Sequence, residues 1–198
     1  RFRGNDGGRM GKGRLEAFSD GVIAIIITII VLEIKVPHGE GLDAIRSLAP
    51  IFLTYALAFV NVGLFWANHH HMLHMATRVD GTVLWANLCL LFWLSLVPFT
   101  IRWMDETHFG SLSVASYGAV LFGAAIGYIW LERAIIRTEG PQSKLARAIG
   151  RNWKEKVSFA AYLAGIALAF VHVWLAIALY VLSALIWIVP DRRIEKAG

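Results

Sequence analysis

The sequence predicts an all-α integral membrane protein with six transmembrane helices, and three observations predict it. Of the 198 residues, 57% are hydrophobic and 17% charged, whereas a soluble domain carries about a quarter charged residues. The apolar residues fall in runs of about twenty, long enough to carry a helix across about 30 Å of hydrocarbon, and the mean hydropathy is +0.58. The charged residues lie mainly between the runs, with the basic ones concentrated on alternate connections. The chain reads as one membrane domain over 1–198, without a soluble domain or internal repeat.

The first span covers about 15–34. It follows a basic, Gly-rich stretch (RFRGNDGGRMGKGR), and its apolar run is long and continuous, so it is expected to remain as an anchor and not to be removed as a signal peptide. The second span, 47–71, carries Pro50 in its first turn, where proline is tolerated. The third, 81–102, is interrupted by Pro98, which should kink it near its outer end and free a carbonyl that needs a partner. The fourth covers 111–136. Residues 157–189 form a single apolar run broken only by His172; one helix of that length would be about 50 Å long. A tight re-entry around Val171, His172 and Val173 therefore divides it into spans at 157–171 and 174–189. Pro37, Pro141 and Pro190 fall in connections or at ends. Cys89 is the single cysteine and can form no disulfide within the chain.

Charge orients the set. Of the 19 basic residues only Lys35, Arg46 and Arg102 fall on outer segments when the N-terminus is placed inside, beside Glu33, Glu40, Asp43, Asp105 and Glu106. The excess of Lys and Arg on the other side is what the positive-inside rule requires, with both termini cytoplasmic. The net charge of +5 is thus explained by topology, and the basic residues form no groove-sized patch for nucleic acid. The connection 137–156 is basic and partly helical in pattern, with Trp153 placed to anchor at lipid headgroups.

Asp20 lies inside the first span. A carboxylate at a bilayer centre costs about 2.5 to 3.5 kcal/mol on insertion scales, so such a residue must face protein or water. Arg14, Ser19, Asp20, Trp66, Asn68, His69, His70, His71 and Asn87 fall at matching depths on three consecutive helices joined by short connections. Polar groups in hydrocarbon need partners, and these are the available ones. Three roles compete for the run from His69 to His74: hydrogen bonding within the fold, a pH-sensing proton relay, and metal ligation by the i, i+4 pair His70 and His74. No second helix supplies an acid motif to complete a metal site. Nucleophile elbows, P-loops, dinucleotide turns and HExxH patterns are likewise missing, which points away from an enzyme.

Gly21, Ile25, Thr28, Ile29 and Leu32 fall on one stripe of the first helix. Such a stripe packs against protein or faces lipid; above a polar cluster and with a threonine in it, it also suits a narrow pore that closes by dewetting.

Arg14-Leu15-Glu16-Ala17-Phe18-Ser19-Asp20 matches RxxxFSD, and the sequence thereby resembles the transmembrane protein 175 family of potassium channels. The continuation to Thr28 and Leu32-Glu33, the Phe65-Trp66-Ala67-Asn68-His69-His70 stretch, and Asn87 with Pro98-Phe99-Thr100 are similar to the same family. The resemblance implies a prokaryotic, single-unit member: a homotetramer in the cell membrane with its first helices around a central pore. It implies a passive potassium leak with no cofactor beyond the permeant K+ ion. Carried over by position, Ile25 is the constriction, Thr28 a threonine layer, and Ile29 and Leu32 further pore-facing residues. Arg14, Phe18, Ser19 and Asp20 brace the helix through Trp66, His69 and Asn87. Isoleucine at 25 and 29, where leucine is common in the family, narrows or stiffens such a pore. No TVGYG-like filter occurs, the nearest stretch being Ser116-Tyr117-Gly118-Ala119, so potassium selectivity would need this other device. A proton-permeable channel using Asp20 or His69 to His74 is the competing reading within the family; a secondary carrier or a poreless scaffold competes from outside it.

Overall fold

The computed structural model describes residues 11–34, 36, 41–148 and 153–188. The charge reading at Arg1, Arg3, Arg9, Lys35, Arg151, Arg192, Arg193 and Lys196, and the prolines at 37 and 190, lie outside the described residues. Among the described residues every regular element is an α-helix: α1 (Lys12–Leu32), α2 (Leu42–Met75), α3 (Gly81–Ser95), α4 (Val97–Glu106), α5 (Ser111–Glu139), α6 (Lys144–Ala148), α7 (Trp153–Leu168) and α8 (Val173–Ile188).

Among the described residues four stretches are long and apolar enough to cross a membrane: Lys12–Leu32, Leu48–Met75, Gly81–Glu106 and Ser111–Glu139. They correspond to the first four expected spans. The fifth and sixth correspond to α7 and α8, which pack on one another and hold 16 residues each, about 24 Å of helix. A turn over 169–171 divides the apolar run, where the amides of Ala169, Phe170, Val171 and His172 bond back to α7 carbonyls. Helix ends depart from the expected ones where the chain is amphipathic. Hydropathy measures transfer into lipid, whereas helix formation continues through polar residues of adequate propensity. So α2 begins at Leu42 and not at 47, α5 runs on to Glu139, and α7 starts at Trp153 before its apolar part. Gly140, at φ 96, ends α5 in a conformation that favours glycine.

Pro98 breaks the third span as expected. It sits in the first turn of α4, and the junction residue Leu96 bonds back to the Trp93 carbonyl at 3.2 Å. The hydroxyls of Ser95 and Thr100 donate to the carbonyls of Phe92 and Val97 at 2.7 and 2.8 Å, so side chains satisfy acceptors around the break.

The core is centred where α3 crosses α5. In lipid, helices associate through close packing, which favours small residues at the crossing. A Cβ added to Gly127 would stand 2.8 Å from the Leu90 Cα, and one added to Gly123 would stand 2.2 Å from the Trp93 ring. At Gly127 the obstacle is backbone and cannot swing aside. Gly127→Leu is therefore expected to cost at least about 3 kcal/mol, the upper end of ordinary overpacking. Thermal unfolding in detergent checks this.

The short connection from α2 to α3 is tied to the end of α5. The Glu139 carboxylate accepts the Thr77 and Arg78 amides at 2.6 and 2.7 Å and the Thr77 hydroxyl at 2.8 Å. The Asp80 carboxylate accepts the Val83 amide at 2.9 Å as the α3 N-cap, and the Thr138 hydroxyl at 2.8 Å. These donors, the Val83 amide foremost, hold the Asp80 carboxyl below its ordinary range. A carboxyl depressed in the folded state contributes stability that is full above the unfolded value of about 3.9 and lost as pH falls through the folded one. Acid unfolding followed by tryptophan fluorescence should show this component below about pH 4, and Asp80→Asn should remove it.

Candidate functional site

Helical periodicity gives α1 two unlike faces. Leu15, Ser19, Ile23, Ile26 and Ile30, at intervals of three and four, are buried where α1 packs on α2, α3 and α4. Gly21, Ile25, Thr28, Ile29 and Leu32 lie on the uncovered side, with Ile25 59% and Leu32 78% exposed. The expected stripe is thus continuous and uncovered in the single chain. Along it the Thr28 hydroxyl donates to the Ile25 carbonyl at 2.8 Å, which leaves the Oγ lone pairs as acceptors on an otherwise apolar surface.

On the buried face Ser19, His69 and Asn87 meet. The His69 Nε2 stands 2.7 Å from the Asn87 Oδ1, the Asn87 Nδ2 donates to the Ser19 Oγ at 3.0 Å, and the Ser19 hydroxyl donates to the Leu15 carbonyl at 2.9 Å. Because a carbonyl oxygen only accepts, the contact with Asn87 Oδ1 puts the His69 hydrogen on Nε2, while the single Ser19 proton has both the Leu15 carbonyl and, at 3.3 Å, the Asn87 Oδ1 as acceptors. The His69 Nδ1 is then a bare lone pair, and it is buried with no partner, a smaller penalty than an orphaned N–H. All three residues are buried. At the margin of the same cluster the Trp66 indole donates to the Asp20 Oδ1 at 2.9 Å. The intramembrane acid therefore has its partner on the neighbouring helix.

Other expected members stand apart. Arg14 is exposed, and among the described residues no ion pair joins it to Asp20; Phe18 is half exposed. Asn68 bonds its own helix through the Leu64 carbonyl at 2.8 Å. His70, His71 and His74 point away from the cluster, His70 lying between the Trp66 and His74 rings at 5.9 and 6.3 Å.

Two ties escaped the sequence reading. At the start of α1 the Lys12 ammonium donates to the His74 carbonyl at 2.8 Å and pairs with Glu16 at 3.7 Å. Beyond its end Glu33 pairs with Arg102 at 3.8 Å, and Arg102 with Glu106 at 3.1 Å. The i, i+4 spacings of Lys12 with Glu16 and Arg102 with Glu106 were the available signals.

Residues 14–98, which hold this whole cluster, match the family model described as the endosomal/lysosomal potassium channel TMEM175. A potassium channel of Chryseobacterium sp. (strain P1-3) is 52% identical over 188 residues, covering 95% of this chain and 98% of that protein. The chain belongs to the TMEM175 family. TMEM175 proteins are ion channels, and this member is not an enzyme. The crystal structure of a lysosomal potassium-selective channel TMEM175 homolog from Chamaesiphon minutus superposes with a TM-score of 0.75 at 28% identity, over 92% of this chain and 97% of that one. The endosomal/lysosomal proton channel TMEM175 of Homo sapiens is 40% identical over 87 residues, which are 36% of this chain and 17% of that protein. A membrane-spanning channel is thus established from family and fold together.

Proposed function

We propose that this TMEM175 member is a potassium-permeable leak channel of the cell membrane, a homotetramer in which four copies of α1 surround a central passage. The observation that carries this reading is the uneven coverage of α1: one side is braced by buried hydrogen bonds, and the opposite stripe is uncovered from Gly21 to Leu32. One helix cannot enclose a passage, so copies must supply the other walls. In the assembly Ile25 forms the constriction, Thr28 offers a ring of hydroxyl oxygens, and Ile29 and Leu32 continue the apolar lining. Ser19 and Asp20, held by Asn87, His69 and Trp66, set the rotation of α1 that points this stripe inward. Potassium efflux from reconstituted vesicles, with native mass spectrometry of the purified protein, tests the reading. Passive efflux and a tetramer are expected; a monomer, or efflux that requires a counter-substrate, would replace the channel with a carrier, and no flux at all with a scaffold.

The proton-permeable reading draws on the vertebrate relatives, whose names describe proton channels. The donor chain gives it no route, because it ends on the Leu15 carbonyl and an asparagine amide passes no proton along it. Protons would have to use water, or the exposed His70, His71 and His74. The reversal potential under a pure pH gradient separates the two: near zero for a potassium pathway, displaced toward the proton potential otherwise.

A further inference from the structure

Between α2, α5, α7 and α8 lies a cleft with about 500 Å³ of empty space, counting its open mouth, and no residue of α1 lines it. Its walls carry the rings of Tyr128, Tyr162 and Trp187, and three of its polar groups are Asn61, Asn68 and Glu155. Several donors there are already committed. Asn61 Nδ2 donates to the Leu57 carbonyl at 3.0 Å and the Tyr117 hydroxyl at 3.2 Å, and Asn68 Nδ2 donates to the Leu64 carbonyl. The Trp187 indole N–H is bound by the Ser158 Oγ at 2.9 Å. Acceptor oxygens remain beside the second Asn68 N–H and the tyrosine and serine hydroxyls of the lining. Asn61 is 2% exposed, and its amide oxygen is an acceptor that a donor entering the cleft could use.

Glu155 adds charge to this lining. It lies in hydrogen-bonding contact with Glu132, which is itself buried. A carboxyl group's several lone pairs leave room for a further donor. No lysine or arginine lines the cleft; Arg133 acts on Glu132 from nearby, and the Lys154 ammonium lies 5.8 Å from the Trp187 ring centroid. That ring already attracts an ammonium group.

Ring faces, amide oxygens and the Glu155 carboxyl together suit a cation whose charge sits on nitrogen and whose substituents are hydrocarbon. We propose that this cleft binds an organic ammonium ion, supplied either as a free amine or as the headgroup of a membrane lipid.

Calorimetric titration of the full-length detergent-solubilised protein with choline, and with its neutral isostere 3,3-dimethylbutan-1-ol, separates charge from shape. Choline should bind saturably and at least about tenfold more tightly than the alcohol. Glu155→Gln and Trp187→Leu should each weaken it by about tenfold or more at an unchanged melting temperature; if Trp187→Leu unfolds the protein, Glu155→Gln alone decides. Where free choline does not bind, native mass spectrometry should find a choline or ethanolamine lipid retained by the wild type and lost from Glu155→Gln, which identifies the lipid as the source. Equal binding of choline and the alcohol, choline binding untouched by Glu155→Gln, or neither choline binding nor a retained lipid would overturn the proposal.

Discussion

Vesicles carrying Ile25→Asn should lose potassium about tenfold faster than wild-type vesicles while the protein remains a tetramer. A ring of isoleucine side chains excludes water from a narrow passage, and the ion's barrier there is the loss of hydration that nothing replaces. An asparagine amide in each copy restores hydrogen-bonding partners and keeps the constriction wet. A relief of only about 1.4 kcal/mol is a factor of ten in rate. Ile25 is suited to this test because its side chain is uncovered, so the substitution leaves the packing within each chain untouched. Flux unchanged by Ile25→Asn but raised by Leu32→Asn would move the constriction two turns along the helix; flux unchanged by both would remove α1 from the ion's path.

Asn87→Leu should be the most damaging single change in the brace. Asn87 both donates and accepts, so its loss strips the Ser19 oxygen of its donor and leaves the His69 Nε2–H buried with nothing to bond. An unsatisfied buried group costs about 1 to 3 kcal/mol; the His69 N–H is one, while Ser19 keeps its bond to Leu15, so the loss is about 1 to 3 kcal/mol plus that of the Ser19 contact. The melting temperature in detergent measures it. Trp66→Phe makes the comparison: it removes one hydrogen bond at a partly exposed site and should cost only about 1 kcal/mol. If the brace sets the rotation of α1, Asn87→Leu should also lower flux in whatever fraction still assembles, and Trp66→Phe should do so less. Flux preserved in folded Asn87→Leu would confine the cluster to a role in stability.

The two faces of α1 were legible because a helix has one period, and a sequence holding both Ser19 and Ile25 must put them on different sides. The meeting of Ser19, His69 and Asn87 was legible from depth, since polar groups at one height in hydrocarbon have few alternatives. Arg14 was grouped with them by the same reasoning, yet it stands exposed; a residue at the helix's polar end has water as a partner, and depth no longer forces a contact. The Glu139 clamp on Thr77 and Arg78 joins positions about sixty residues apart in an aqueous connection, where neither depth nor periodicity constrains pairing. The lengths of α2, α5 and α7 were misjudged wherever helix propensity and hydropathy part company.

Among the described residues the side-chain hydrogen bonds that tie α1 to its neighbours lie near one end. Beyond Asp20 the helix rests on Ile23, Ile26 and Ile30, and its far end is tied by the partly exposed Glu33 and Arg102 pair, a contact of the kind worth at most about 1 kcal/mol. Mechanically α1 is pinned by hydrogen bonds at Ser19 and held mainly by apolar packing toward Leu32, with about 20 Å of lever between them. A rocking of five degrees about Ser19 would carry the tip through about 2 Å, comparable with the radius of a water molecule, without breaking a single buried hydrogen bond.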